Sequence, residues 1–170
     1  MNPKYFGDSY DIVKRFFCTE LNVLGYTIVV NPMFTGEWNG NENMFLRFIG
    51  APLSSVASDP LRRTALFIDP DTGVNRRPSN QHISLMQLKE AASKHELVFS
   101  FDQSFSRQHD ANVVMTEKLN FLREQGCHAI YYDSHARFLF VANNRLLLDE
   151  FRFHLESLGL PKSRFFGGGT

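Results

Sequence analysis

Ala65-Leu66-Phe67-Ile68-Asp69-Pro70-Asp71-Thr72-Gly73 is the stretch on which the reading of the chain turns. A short, uninterrupted apolar run closed by a turn signal describes a strand buried on both faces. Such strands belong to parallel sheets covered by helices on either side. Pro70 sets the backbone just beyond the strand and Gly73 permits a tight turn, so two carboxylates are held two residues apart at the strand's carboxyl end.

The pattern continues in both directions. Asp8 and Asp11 bracket the opening turn of a helix, in which Ile12, Val13, Phe16, Phe17, Leu21 and Leu24 keep helical spacing up to Gly25. Tyr26 to Val30 is a buried strand that stops at Asn31-Pro32. Met33 to Asn43 is loop-like and carries Phe34 and the only tryptophan, Trp38; Glu42 to Ile49 is a short helix. Beyond the central stretch, Ser84 and Gln87 form a capping box for a helix to about Lys94. Leu97 to Phe101 is the next strand, Asp110 caps a helix to Gly126, and Ala129 to Tyr132 and Phe138 to Val141 are a strand pair. Asn144 opens the last helix, ending at Gly159. Strands and helices alternating at this spacing predict a three-layer α/β/α sandwich. Its sheet has about five mostly parallel strands, and the C-terminal pair forms an antiparallel hairpin at one edge. One domain over 1–164 is expected, followed by a mobile glycine-rich tail over 165–170.

Composition narrows the function classes. The chain has 170 residues, 18 basic and 18 acidic, so a strongly basic nucleic-acid coat is excluded. The 12 Arg outnumber the 6 Lys, which favours planar recognition of phosphate or carboxylate. No apolar run is long enough to span a membrane and no signal peptide follows Met1. Cys18 and Cys127 read as reduced core thiols, which points to the cytoplasm. The 17 Phe are more than such a core usually demands; the expectation is a Phe-rich core, with some rings on a stacking surface as the alternative. No P-loop, paired-histidine metal motif or G-x-G turn is present.

In an open α/β sheet, ligands bind beyond the carboxyl ends of the strands. Each strand here ends in a polar residue: Asn31, Asp69 with Asp71, Asp102, and Asp133. The loops beyond carry Phe34, Trp38, Arg76, Arg77, Gln103, Ser104, Arg107, Ser134, His135 and Arg137. Carboxylates ringed by arginines and aromatics suit a substrate with a phosphate and a base. Gln103 can read a base edge and Arg107 can hold a phosphate. Lys14, one turn into the first helix, is expected to be an exposed lysine, with a catalytic role as the alternative.

Three segments resemble a poorly characterised bacterial family linked to mobile and defence genes. They are Tyr5-Phe6-Gly7-Asp8 with Asp11 and Lys14, the Phe67 to Gly73 block, and Phe101 to Arg107. A second similarity is to the uracil-DNA glycosylase superfamily and to antiphage DNA glycosylases. There, an Asn-Pro or Asp-Pro turn positions water and a following aromatic stacks on the flipped base; Val30-Asn31-Pro32-Met33-Phe34 is similar. A later loop there wedges into the duplex, and Ser134-His135-Ala136-Arg137 is similar to it. The resemblance implies an α/β/α enzyme of about this size acting on DNA, with roles for Asn31, Phe34 and His135.

The expectation is therefore a DNA glycosylase with a role in antiphage defence. It hydrolyses the N-glycosidic bond of a flipped base without a cofactor, using a strand-end carboxylate among Asp69, Asp71 and Asp102. Two alternatives stand beside it. One is a Mg²⁺-dependent nuclease or phosphoesterase built on those three aspartates. The other is a methyltransferase-like module that binds nucleotide or protein without catalysis. Arg62, Arg63, Arg76, Arg77, Arg107 and Arg137 are expected to frame the sheet edge and to give salt-dependent phosphate contacts.

Overall fold

A computed structural model describes residues 3–55, 63–105 and 110–167. The main sheet has six strands in the order β1 (Thr27–Asn31), β2 (Thr64–Ile68), β5 (Leu97–Phe101), β7 (Phe138–Ala142), β6 (His128–Tyr132) and β8 (Phe165–Phe166). β1, β2 and β5 pair in parallel, and β6 runs the same way. β7 and β8 run against them. All four carboxyl ends expected to converge therefore lie along one edge.

Helices cover both faces, as a parallel-strand core requires. On one side α1 (Ser9–Val23), α2 (Glu42–Ile49) and α5 (Arg145–Ser157) pack on the sheet through Phe17, Cys18, Leu21, Phe45, Phe151 and Leu155. On the other, α3 (Leu85–Ala92) and α4 (Ala111–Glu124) contribute Leu85, Leu88, Met115, Leu119 and Leu122. Strand residues alternate between the layers: Phe67, Phe99 and Phe140 face the first, Leu66, Val98 and Val141 the second. Phe67 stacks on Phe99 at 4.9 Å between centroids, and Phe99 on Phe140 at 5.7 Å. The abundance of phenylalanine is spent on this internal column and the rings around it. Phe153 is the one exposed phenylalanine, so the expected Phe-rich core forms and the alternative stacking surface does not.

Local signals set the helix ends. The Asp8 carboxylate accepts from the backbone N–H of Tyr10 and Asp11. Ser84 and Gln87 form the expected capping box. Asp110 and Asn144 cap α4 and α5.

Three long-range features differ from the expectation. The hairpin strand β7 lies inside the sheet, between β5 and β6, because its Phe138 to Ala142 run is buried on both faces and pairs with both neighbours. The start of the predicted tail is a strand: Phe165 and Phe166 pair with Tyr132 and Tyr131, so the fold extends past residue 164. The loop after β2 contains a two-stranded parallel sheet, β3 (Gly73–Asn75) with β4 (His82–Ser84). No described helix is long and apolar enough to cross a membrane. Cys18 and Cys127 are buried free thiols, and burial pushes both thiol pKa values up, as expected of inert core groups.

Candidate active-site pocket

The site begins at the N-cap of α1, where the Asp8 turn brings the first helical turn over the carboxyl ends of β2 and β5. Asp11, Lys14, Phe17, Cys18 and Leu21 fall on one buried stripe of the helix. The Lys14 side chain is directed into the protein. Its Nζ donates to Asp11 Oδ1 at 2.9 Å and to Asp69 Oδ2 at 3.0 Å, and lies 5.0 Å from the centroid of Phe101. Lys14 is thus 3% exposed, and the expected solvent-facing lysine is instead the centre of a buried Asp–Lys–Asp cluster. Asp11 Oδ2 accepts the Gly7 N–H, which ties the segment before the helix to the cluster.

Lys14 and Asp69 are each displaced from their ordinary values by these surroundings. Burial works to lower Lys14, but the carboxylates of Asp69 and Asp11 outweigh it and hold the ammonium above its ordinary value. Burial pushes the Asp69 carboxyl up, against the pull of Lys14. Asp69 is fully buried, and its Oδ1 has no hydrogen-bond partner among the described residues.

Above this cluster opens a pocket of about 340 Å³. Asp8, Asp11, Lys14, Pro70, Asp71, Phe101 and Gln103 line it together with Tyr5 and Tyr10. Tyr5 is 61% exposed at the mouth. Tyr10 meets Phe101 at 5.3 Å and 60°, and its hydroxyl is 2.6 Å from His135 Nε2, whose ring stacks on it. Of the residues singled out from sequence, Asp71 and Gln103 reach the pocket wall. Asp69 supports it from behind, and His135 buttresses Tyr10.

The others lie elsewhere. Asp102 serves a separate network on the opposite face of the sheet. Its Oδ1 accepts the Val74 N–H, the Ser104 N–H and the Ser104 hydroxyl; its Oδ2 accepts from Lys118 Nζ at 2.6 Å and Tyr131 Oη at 2.7 Å. Ser104 is held there too, its Oγ 2.6 Å from the Val74 carbonyl and accepting from Lys118 Nζ at 2.7 Å. Burial lowers Lys118, opposed by Asp102, and burial followed by Asp102 raises Tyr131. Asp102 is 1% exposed and its oxygens are committed, so Asp69, Asp71 and Asp102 do not converge into a metal-binding triad. Among the described residues no group of three His, Cys, Asp or Glu side chains could hold a metal ion.

Trp38 is fully buried against Phe6, Phe34 and Phe45, so neither it nor Phe34 presents a ring to the pocket. The Asn31 side chain accepts from the Met33 N–H within its own turn. Ser134 closes a turn onto the Ala136 carbonyl, and Arg137 pairs with Asp133 over the Phe105 ring. Arg76 and Arg77 are exposed, with Arg76 beside Glu117 of α4. Arg63 precedes β2, so it lies at the opposite end of the strands, bound to Glu96, Glu150 and Tyr26. The expected arginine frame around one sheet edge is therefore dispersed; Arg62 and Arg107 lie outside the described residues.

Comparison with family models, with curated proteins and with solved structures gives no match for this chain.

Proposed function

We propose that the chain is an N-glycosidic hydrolase acting on a base-bearing substrate, with DNA as its substrate class. The observation that carries this reading is the pocket itself: aromatic rings and an exposed amide beside several carboxylates, at the carboxyl ends of the strands. Glycosidic cleavage develops positive charge on the sugar, and an adjacent carboxylate favours it. Asp71 takes that role, orienting the water and receiving its proton. Tyr5, Tyr10 and Phe101 hold the base, and Gln103 reads its edge. Aromatic contact of this kind returns about 1–3 kcal/mol per base, comparable with the cost of unstacking a flipped nucleotide.

A second reading uses the same pocket. The ion pairing of Lys14 with Asp11 and Asp69 ties its ammonium into the fold, which suits a methyltransferase-like module that binds nucleotide or protein without catalysis as well as an enzyme. The metal-dependent nuclease reading loses its third ligand to the Asp102 network.

Incubation with normal and modified DNA, with and without EDTA, separates these readings. Free base and alkali-labile abasic sites formed in EDTA are expected, with the rate in Asp71→Asn reduced about a hundredfold or more. Strand scission abolished by EDTA identifies the nuclease. Intact DNA together with saturable nucleoside binding identifies the module. A defence role predicts that expressing the wild type, and not Asp71→Asn, lowers phage plating.

A further inference from the structure

α1 is apolar on two opposite sides. One is the buried stripe of Phe17, Cys18 and Leu21, which also carries Asp11 and Lys14. The other is Ile12, Phe16, Thr19 and Val23, whose steps of four, three and four residues repeat those of a coiled-coil seam. Ile12 is 59% exposed and Val23 68%, with Phe16 half-buried between them. A helix that is apolar all round is ordinarily covered on every side. The neighbouring helices enlarge the patch, because Met44 of α2 and Phe153 of α5 are exposed as well. On the other layer, α3 and α4 expose only Met86 and Val113 among their large apolar side chains.

Charges of opposite sign flank the stripe. On its α2 side stands Arg15, whose guanidinium carbon lies 5.2 Å from the Phe48 ring centroid. Arg15 is exposed and forms no ion pair among the described residues. On its α5 side stands Glu20, half-buried, with Oε2 2.8 Å from His154 Nε2.

We propose that this face of α1 is the two-fold interface of a homodimer, a second copy of the chain packing its own α1 in parallel against the first. A two-fold axis running along the helices sets Ile12, Phe16, Thr19 and Val23 against their own counterparts. It also exchanges the flanks, so that Arg15 of each chain meets Glu20 of the other, as flanking charges do across a parallel coiled coil. The pairing occurs twice by symmetry. Antiparallel packing keeps each flank on its own side and sets Arg15 near Asn22 and Glu20 near Val13, with no opposite charges facing. The charge pattern therefore selects the parallel arrangement. In that arrangement α2 of one chain faces α5 of the other, which turns Met44 and Phe153 toward each other from opposite sides.

Sedimentation equilibrium of the full chain at micromolar concentrations tests this. The wild type is expected to reach a mass twice that of one chain. Ile12→Asp and Val23→Asp should each weaken the dimer about tenfold or more, because a charge enters the seam at a position already exposed in the monomer. Arg15→Glu and Glu20→Arg should each weaken it several-fold. An equimolar mixture of those two variants should associate several-fold more tightly than either alone, since each supplies the charge the other lacks. A chain that stays monomeric overturns the proposal, as does a dimer that Ile12→Asp and Val23→Asp leave unchanged. A mixture no tighter than its separate components overturns the parallel pairing and the proposal with it. A monomer that sediments with vesicles of phosphatidylcholine and phosphatidylserine, and ceases to in Ile12→Asp, assigns the stripe to a lipid surface instead.

Discussion

Lys14 gives the sharpest test at the scale of one residue. Its ammonium is the common partner of Asp11 and Asp69, both buried. Lys14→Met leaves two buried carboxylates without a counter-ion, and the expected loss is about 3–5 kcal/mol, read as a lower urea midpoint. Adding Asp69→Asn to Lys14→Met should restore part of that loss, because removing a buried charge relieves the desolvation that the first substitution uncovers. A double variant no more stable than Lys14→Met alone would show that the cluster does not act through its charges. Lys14 stands at helical spacing from Phe17, Cys18 and Leu21, yet the sequence reading took it as solvent-facing. What the sequence could not display was the partner, 55 residues away on another element. A lysine on an apolar stripe reads as solvent-facing until a buried acid is known to meet it. Asp71 and Gln103 were legible for the opposite reason: each lies within three residues of a strand end, so a local pattern placed them at the sheet edge.

Among the elements, the short sheet of β3 and β4 holds the loop that carries Gln103. Gly73 has a φ of 102°, and a Cβ there would collide with Asp102 Oδ1 and lie 2.6 Å from the Gln103 N. Gly73→Ala is therefore expected to cost about 2 kcal/mol or more. It should also weaken nucleoside binding, since the strain falls on the residue beside the base; calorimetry on the folded fraction checks this. Ser84→Ala, which removes one side of the α3 capping box, should cost only about 1 kcal/mol in thermal melts and leave binding unchanged. Caps and helix spans were readable because they depend on residues three or four positions apart. The position of β7 was not. Its apolar run of Phe138 to Ala142 is compatible with an edge or an interior, and only the long-range pairing with Val98 to Phe101 decides between them. Phe165 and Phe166 were hidden by the glycines that follow them, which made a strand look like the start of a tail.

For the whole molecule, the end of the sheet opposite the pocket is tied by charge. Arg63 donates to Glu96, Glu150 and the Tyr26 hydroxyl, linking β2, α5 and the segments that precede β1 and β5. Burial, partly offset by Arg63, raises the Tyr26 phenol from 10.0 to about 12. Below 10.0 both folded and unfolded chains keep this proton, so it contributes no pH dependence. Between 10.0 and about 12 the unfolded chain loses the proton first, so the folded state binds more protons and stability falls as pH rises. Tyr26→Phe should flatten that alkaline decline in urea titrations; an unchanged slope would assign it to other groups. The insertion of β7 also bears on how the chain matures as it is made. Until residue 142 has been synthesised, β5 has a neighbour on one side only and β6 has nothing to join it to the rest of the sheet. A nascent chain holding β1, β2 and β5 presents an open, largely apolar strand edge for as long as α4 and β6 take to emerge. Arrest of translation in that interval leaves a species that seeks other strands, and β7 is the segment whose arrival ends the exposure.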